Sequence, residues 1–239
     1  MSTRFFLLFM TLFVFSSCGK EESEVQLEYG SVIDVDGQTY RTVKIGDQWW
    51  MAENLNVTHF KDGTPIPFIP YTLNDDTTWS NNNQSAYTYI NDSLLGNLYN
   101  FQAVIDSRGL APEGWHVATD QDWKQLESHL GMSAEDVDAT GWRGENQADK
   151  ITSEFNAGWL ASNFDDGLYG SNESGFNALP AGVRTVYGYT NIQGSTAFWW
   201  SVSNSSNGTW YRYIDLMSKR IFRQQTQPQY GMSIRCVKD

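Results

Sequence analysis

The chain has 239 residues, 40% of them hydrophobic and 15% aromatic, which is enough apolar material for a core at a length suiting one domain or two small ones. Its formal net charge of −12 leaves no broad basic footprint for phosphates, which argues against nucleic acid as a partner. The charge is uneven: residues 184–239 hold seven basic and two acidic side chains, so basic C-terminal strands are expected to lie beside acidic loops.

At the N-terminus, Arg4 precedes an apolar run at 5–15, and Ser16, Ser17 and Cys18 follow. That is the order of a cleavable secretory signal. A helix over about eleven residues reaches roughly 16 Å, half of a bilayer's hydrocarbon core, too short for a permanent transmembrane anchor. Phe15-Ser16-Ser17-Cys18 resembles the lipobox of bacterial lipoproteins, with Phe15 in place of the usual Leu. The resemblance implies removal of residues 1–17 and acylation of Cys18, which would tie the chain to a lipid bilayer. Each buried methylene contributes about 0.8 kcal/mol, so several acyl chains anchor stably. Gly19-Lys20-Glu21-Glu22 resembles the surface-export signal of Bacteroidetes lipoproteins, implying the outer membrane and its exterior face. Residues 18–28 then read as the acylated Cys and a flexible acidic tether, and 29–239 as a single domain. With Cys18 acylated, Cys236 has no disulfide partner, and its alternating apolar surroundings predict a buried structural thiol.

VIDV (32–35) and QTYRTVKI (38–45) read as two strands around Asp36-Gly37, a pair that favours a tight type I′ hairpin turn. Gly46-Asp47 turns the chain into QWWMAENL. Residues 56–95 read as loop with short strands such as AYTYI, and 96–106 as a short helix or a strand, between which periodicity does not choose. Thr119 as N-cap, Asp122 three residues on, and the stripe Trp123, Leu126, Leu130 predict a helix over 120–130, closed by Gly131. Two further short helices are expected from Ser133-Asp136 and from Gln147–Ser153. From 176 onward the pattern is β: FNALPAGVR, TAFWWSVS, TWYRYIDLM, RIFRQQT and MSIRCVK. Strands at both ends with few helices between predict an α+β fold in which 32–45 lies near 234–237.

Seven stretches resemble the Fibrobacter succinogenes major paralogous domain, in order and over nearly all of 34–239. They are DVDGQTYRTVKIGDQWWMAENLN (34–56), GNLYNFQAV (96–104), GLAPEGWHVATDQDWKQLESHLG (109–131), GFNALPAGVR (175–184), FWWSVS (198–203), WYRYIDL (210–216) and GMSIRCVKD (231–239). Ala118 stands where Pro is common, and Met232 where Phe is common. GWHVATDQDWKQL is also similar, more distantly, to a segment of formylglycine-generating-enzyme domains. That likeness implies a C-type-lectin-like architecture: a twisted antiparallel sheet, two or three short helices and long loops. The enzymatic cousins use paired cysteines and copper, and Cys236 has no pair, so the likeness carries the fold and not the reaction.

No G-x-S-x-G, H-E-x-x-H or glycine-rich phosphate loop is present, so no enzymatic activity is expected. His59, His116 and His129 lack metal-ligand spacing; His116 reads as structural and His129 as solvated. No cofactor is expected. Asp75-Asp76, Asp165-Asp166 and Glu173 are the carboxylates that could take calcium, without an EF-hand loop to hold it. Neighbouring strand residues face opposite sides, so Trp49 and Trp50 divide between two faces, as do Trp199 and Trp200. By the same rule Trp210, Arg212 and Ile214 oppose Tyr211 and Tyr213. Exposed aromatics beside Arg and Asn stack on sugar rings or hold partners. The candidates for such a site are Trp79, Tyr187, Tyr189, Trp210, Tyr211 and Arg212. Arg220 and Arg223 read as surface residues of a strand. Asp92-Ser93-Leu94 and Asp76-Thr77-Thr78 resemble a Bacteroidetes O-glycosylation signal. The reading is a non-enzymatic surface lipoprotein whose lectin-like domain binds an extracellular glycan or a surface protein. Its rivals are an accessory component of an outer-membrane complex and an enzyme on the formylglycine-generating scaffold.

Overall fold

A computed structural model describes residues 26–71, 77–89, 95–154, 158–160, 170–187, 190–203 and 209–239. The signal segment, Cys18, Tyr189, Asp75-Asp76, Asp165-Asp166 and Asp92-Ser93-Leu94 lie outside them.

The chain opens with β1 (Tyr29–Ile33) and β2 (Thr39–Ile45), antiparallel, followed by β3 (Gln48–Met51). The β1–β2 connection is not type I′. Gly37 N–H closes on Asp34 O (3.1 Å), and only Gly37 takes a positive φ (81°). This is the three-residue loop in which a turn is followed by a left-handed glycine, so Asp36 keeps a negative φ. Next come α1 (Thr77–Ser80), β4 (Tyr87–Thr88) and β5 (Leu98–Tyr99), then α2 (Phe101–Val104) and β6 (Trp115–Val117). Residues 96–106 thus hold a strand and a helix in succession. α3 (Asp120–His129) has the expected capping box: Thr119 Oγ1 accepts from Asp122 N–H, and Asp122 accepts from Thr119 N–H.

α4 (Ala134–Asp138), β7 (Gly141–Arg143) and α5 (Gln147–Ile151) follow, and then β8 (Val183–Arg184), β9 (Thr190–Asn191), β10 (Thr196–Val202), β11 (Thr209–Asp215), β12 (Ile221–Gln225) and β13 (Cys236–Lys238). Only the end of FNALPAGVR is a strand. The fold is α+β: a five-stranded sheet ordered β1-β2-β3-β13-β6, a four-stranded sheet ordered β10-β11-β12-β7, two small two-stranded sheets and short helices. β13 pairs with β3 and β6, so the terminal strands share a sheet with β3 between them.

Two large apolar clusters form most of the core among the described residues, and strand alternation sorts the tryptophans between them. Trp50 and Trp199 enter the first cluster with Trp123 and Phe176, their ring centroids 5.1–5.8 Å apart. Trp200 enters the second with Tyr99, Met232 and Cys236, and Trp49 packs against it. Adjacent aromatics therefore need no exposed partner, because each side of the strand meets its own core. Cys236 is a buried free thiol whose burial pushes its pKa up, as suits an inert structural cysteine.

Between α3 and the four-stranded sheet runs a buried charge network. Arg212 reaches Glu127 (2.8 Å) and Asp120 (2.8 Å), Arg143 reaches Glu127 (2.6 Å), and Arg223 reaches Asp120 (2.7 Å). Burial alone would raise the Asp120 carboxyl, but Arg223 and Arg212 hold it well below the usual carboxylate range. The basic C-terminal strands thus meet acids of a helix rather than of loops, and Arg223 lies in the interior rather than at the surface. Among the described residues, no helix is long and apolar enough to cross a membrane.

Candidate functional site

The β1–β2 turn does more than join two strands. Asp34 Oδ1 accepts from the backbone N–H groups of Asp36 and Gln38 (2.9 Å each), and Asp34 Oδ2 accepts from the Tyr40 hydroxyl (2.6 Å). Tyr40 Oη in turn accepts from Asn56 N–H (3.0 Å). The turn is thereby stapled to residues 56–59, and Asp36 is delivered against Thr58 and His59. Asp36 Oδ2 accepts from Thr58 N–H (2.6 Å) and from the Thr58 hydroxyl (2.9 Å), while Oδ1 lies 2.6 Å from His59 Nδ1. Burial raises the Asp36 pKa, but these hydrogen bonds outweigh it and leave the carboxyl lowered, so Asp36 is ionised at neutral pH. An ionised Asp36 assigns the Nδ1 proton to the shared hydrogen bond. Nε2 then remains for another contact.

These groups form one wall of a solvent-open cavity of about 480 Å³. That volume is in the usual range for small-ligand sites. Further lining comes from Tyr87 of β4 and from Tyr89 just beyond it. Tyr87 and Tyr89, two apart on an extended segment, both line the cavity. Phe68 stacks on Tyr89 with centroids 5.2 Å apart and planes 18° from parallel. Phe68 is 42% and Tyr89 44% exposed, so this ring pair keeps free surface. Asn97 also lines the cavity although it is only 2% exposed. Its Nδ2 donates to Val57 O (3.4 Å), and its side-chain oxygen takes no hydrogen bond from the described residues. Gln38 and Asn56, joined by one long contact (3.5 Å), add two more amides. Ring surface beside amides, hydroxyls and a carboxylate offers what a polyhydroxylated ring needs: apolar contact on one face and directional hydrogen bonds at its rim.

The candidates singled out from sequence go elsewhere. Trp79 is buried, its Nε1 donating to Gln229 O (2.7 Å) and its ring lying under Arg184 at 4.4 Å. Arg212 is buried in the ion network described above. Trp210 carries the Arg223 guanidinium 3.8 Å above its ring, so that face is taken. Tyr187 is 69% exposed but does not line the cavity. Tyr211 belongs to a half-buried aromatic group on the outer side of the four-stranded sheet. There Phe198, Tyr213, Phe222 and Trp142 sit directly opposite one another, one per strand. Tyr213 and Phe222 meet at 71°, Phe222 and Trp142 at 71°, and Phe198 stacks on Tyr213 at 4.4 Å. These rings close their faces on each other and make no flat platform.

Sequence reasoning missed the cavity because its parts lie far apart in the chain. His59 lacks metal-ligand spacing in the sequence, and its partner Asp36 lies 23 positions away. A usable signal was the alternation in AYTYI, which puts Tyr87 and Tyr89 on one side. His129 is exposed as expected, while His116 is held between Asp122 (3.0 Å) and Asp239 (2.7 Å). No group of three or more His, Cys, Asp or Glu arranged to hold a metal ion occurs among the described residues.

A family model described as the Fibrobacter succinogenes major domain matches residues 43–238. No curated protein and no solved structure matches the chain.

Proposed function

The chain belongs to the Fibrobacter succinogenes major domain family, and on this scaffold we propose that the cavity between Asp36–His59 and Tyr87–Tyr89 binds a sugar ring. One observation carries the reading: an exposed stacked pair, Phe68 and Tyr89, stands beside a cavity lined by Gln38, Asn56, Asn97 and an ionised Asp36. Of the described lining residues only Asp36 is a carboxylate, whereas glycoside hydrolysis generally uses two facing carboxyl groups. We read the site as one that binds without cleaving. We read the architecture as C-type-lectin-like and the whole as a lipoprotein, with Cys18 acylated and residues 19–28 tethering the domain outside the outer membrane. The lipobox-like Phe15-Ser16-Ser17-Cys18 supports the anchor.

The test of the site is a glycan array with the mature chain, comparing wild type with Tyr89→Ala. Saturable binding that the substitution weakens supports the reading. Binding indifferent to Tyr89→Ala, or no binding to any glycan, refutes it. For the anchor, labelled palmitate should enter the wild-type protein in cells and not Cys18→Ser; an equally labelled variant overturns the assignment.

A further inference from the structure

We infer that the Asp36–His59 cavity selects uncharged pyranoses over their uronate counterparts, an inference that rests on the sugar-binding reading above. The argument begins with what lines the cavity. The hydrogen-bonding groups are three amides, the Thr58 hydroxyl, the phenols of Tyr87 and Tyr89, the His59 imidazole and the Asp36 carboxylate. No Lys or Arg is among the described lining residues, which therefore offer no permanent cation to a ligand carboxylate. The carboxylate that is present is fixed. Thr58 holds Asp36 through its N–H and its hydroxyl, and His59 Nδ1 holds the other oxygen. Asp36 therefore cannot turn away from an incoming anion without losing three hydrogen bonds. Asp36 is the one acidic side chain among the described lining residues.

A second carboxylate held in a space of about 480 Å³ sits within roughly 10 Å of Asp36. Like charges at that separation, in an effective dielectric near 20 and partly screened by salt, lower affinity by about fivefold, and by more at closer range. A neutral ring meets no such cost. Its hydroxyls are both donors and acceptors and so match the amides, Asn97 Oδ1 and His59 Nε2. Charge therefore decides between two sugars of the same shape, and the amides and tyrosines treat them alike.

The experiment uses the mature chain at pH 8 and oligosaccharide pairs that differ only in oxidation at C6: glucose against glucuronate, galactose against galacturonate and mannose against mannuronate, each at equal length. Affinities come from calorimetric titration at low and moderate salt. The expected result is that at least one neutral member binds and that its uronate partner binds about fivefold more weakly or worse, the gap narrowing as salt rises. Asp36→Asn should shrink the gap. Because that change also disturbs the turn, Gln38→Lys supplies an independent arm: a cation at the cavity rim should raise the ratio of uronate to neutral affinity. If neutral sugars bind and uronates bind equally or better, the selectivity is overturned while sugar binding stands. If no member of any pair binds, both fall.

Discussion

Two aromatic groups in this molecule have similar composition and opposite consequences. Beside the cavity, Phe68 and Tyr89 stack nearly parallel and each remains more than 40% exposed. On the four-stranded sheet, Phe198, Tyr213, Phe222 and Trp142 form a row across β10, β11, β12 and β7; Phe198 stacks on Tyr213, and Phe222 meets Tyr213 and Trp142 edge to face. The first group has ring surface left for a ligand, whereas the second has used most of its own. What separates them is the partner, not the residue type. An extended loop pair leaves one side of a ring bare, while a sheet places a neighbour every ~5 Å on each side.

The strongest challenge to this contrast lies beneath the sheet row. Arg212 was a ligand candidate from sequence, yet it lies fully buried with Glu127 and Asp120. Arg212→Ala should lower unfolding stability by about 3–5 kcal/mol, because it strands buried carboxylates, although Arg143 and Arg223 remain to share them. A denaturant midpoint close to wild type would return Arg212 to the list of surface residues. The sharper test is a pair of substitutions. Tyr213→Ala removes a ring packed between Phe198, Phe222 and Trp142 and should cost about 1–2 kcal/mol, with sugar affinity unchanged. Tyr89→Ala should do the reverse: stability within about 0.5 kcal/mol of wild type and affinity down by roughly tenfold. If Tyr213→Ala abolished binding in a folded protein, the functional surface would be the sheet.

Much of the scaffold was legible in the sequence, because local chemistry decides it. Thr119, Asp122 and the stripe Trp123, Leu126 and Leu130 specify α3 with no help from elsewhere, and the long alternating runs specify β10 and β11. Asp36-Gly37 announced a turn, but its type goes with Asp34, whose carboxylate accepts from the Asp36 and Gln38 N–H groups and whose carbonyl accepts from Gly37 N–H. The alternation rule also placed Trp210 and Arg212 on the side opposite Tyr211 and Tyr213. It could not say which side α3 covers. The charge excess of the last 56 residues was visible, but its acids proved to be Asp120 and Glu127 on a helix. The cavity was least legible, since it joins residues 36–38, 56–59, 87–89 and 97, and no spacing along the chain encodes that meeting.

The smallest expected effect concerns the other histidine with carboxylate neighbours, and it tests whether a His–Asp contact in this fold is structural or ligand-facing. His116 sits on β6 with Nε2 3.0 Å from Asp122 and Nδ1 2.7 Å from Asp239. Asp122 is already engaged by Thr119 and by Gln48 Nε2 (3.0 Å), so the imidazole ties the C-terminus to the start of α3. The hydrogen bond to Asp122 is the main cause that raises the His116 pKa; burial opposes it, and Asp239 adds to the rise. A pKa raised on folding contributes stability that is complete below the ordinary imidazole range and disappears as pH climbs through the raised value. The imidazole is over a third exposed, so solvent screening keeps the contribution small. The melting temperature of wild type should therefore exceed that of His116→Gln by most near pH 6, and the two curves should converge toward pH 9. His59→Gln compared in the same way reports on the cavity, where the signal to look for is lost sugar affinity. A gap between wild type and His116→Gln that stays constant from pH 6 to 9 would assign His116 to packing and neutral hydrogen bonding instead of an ion pair.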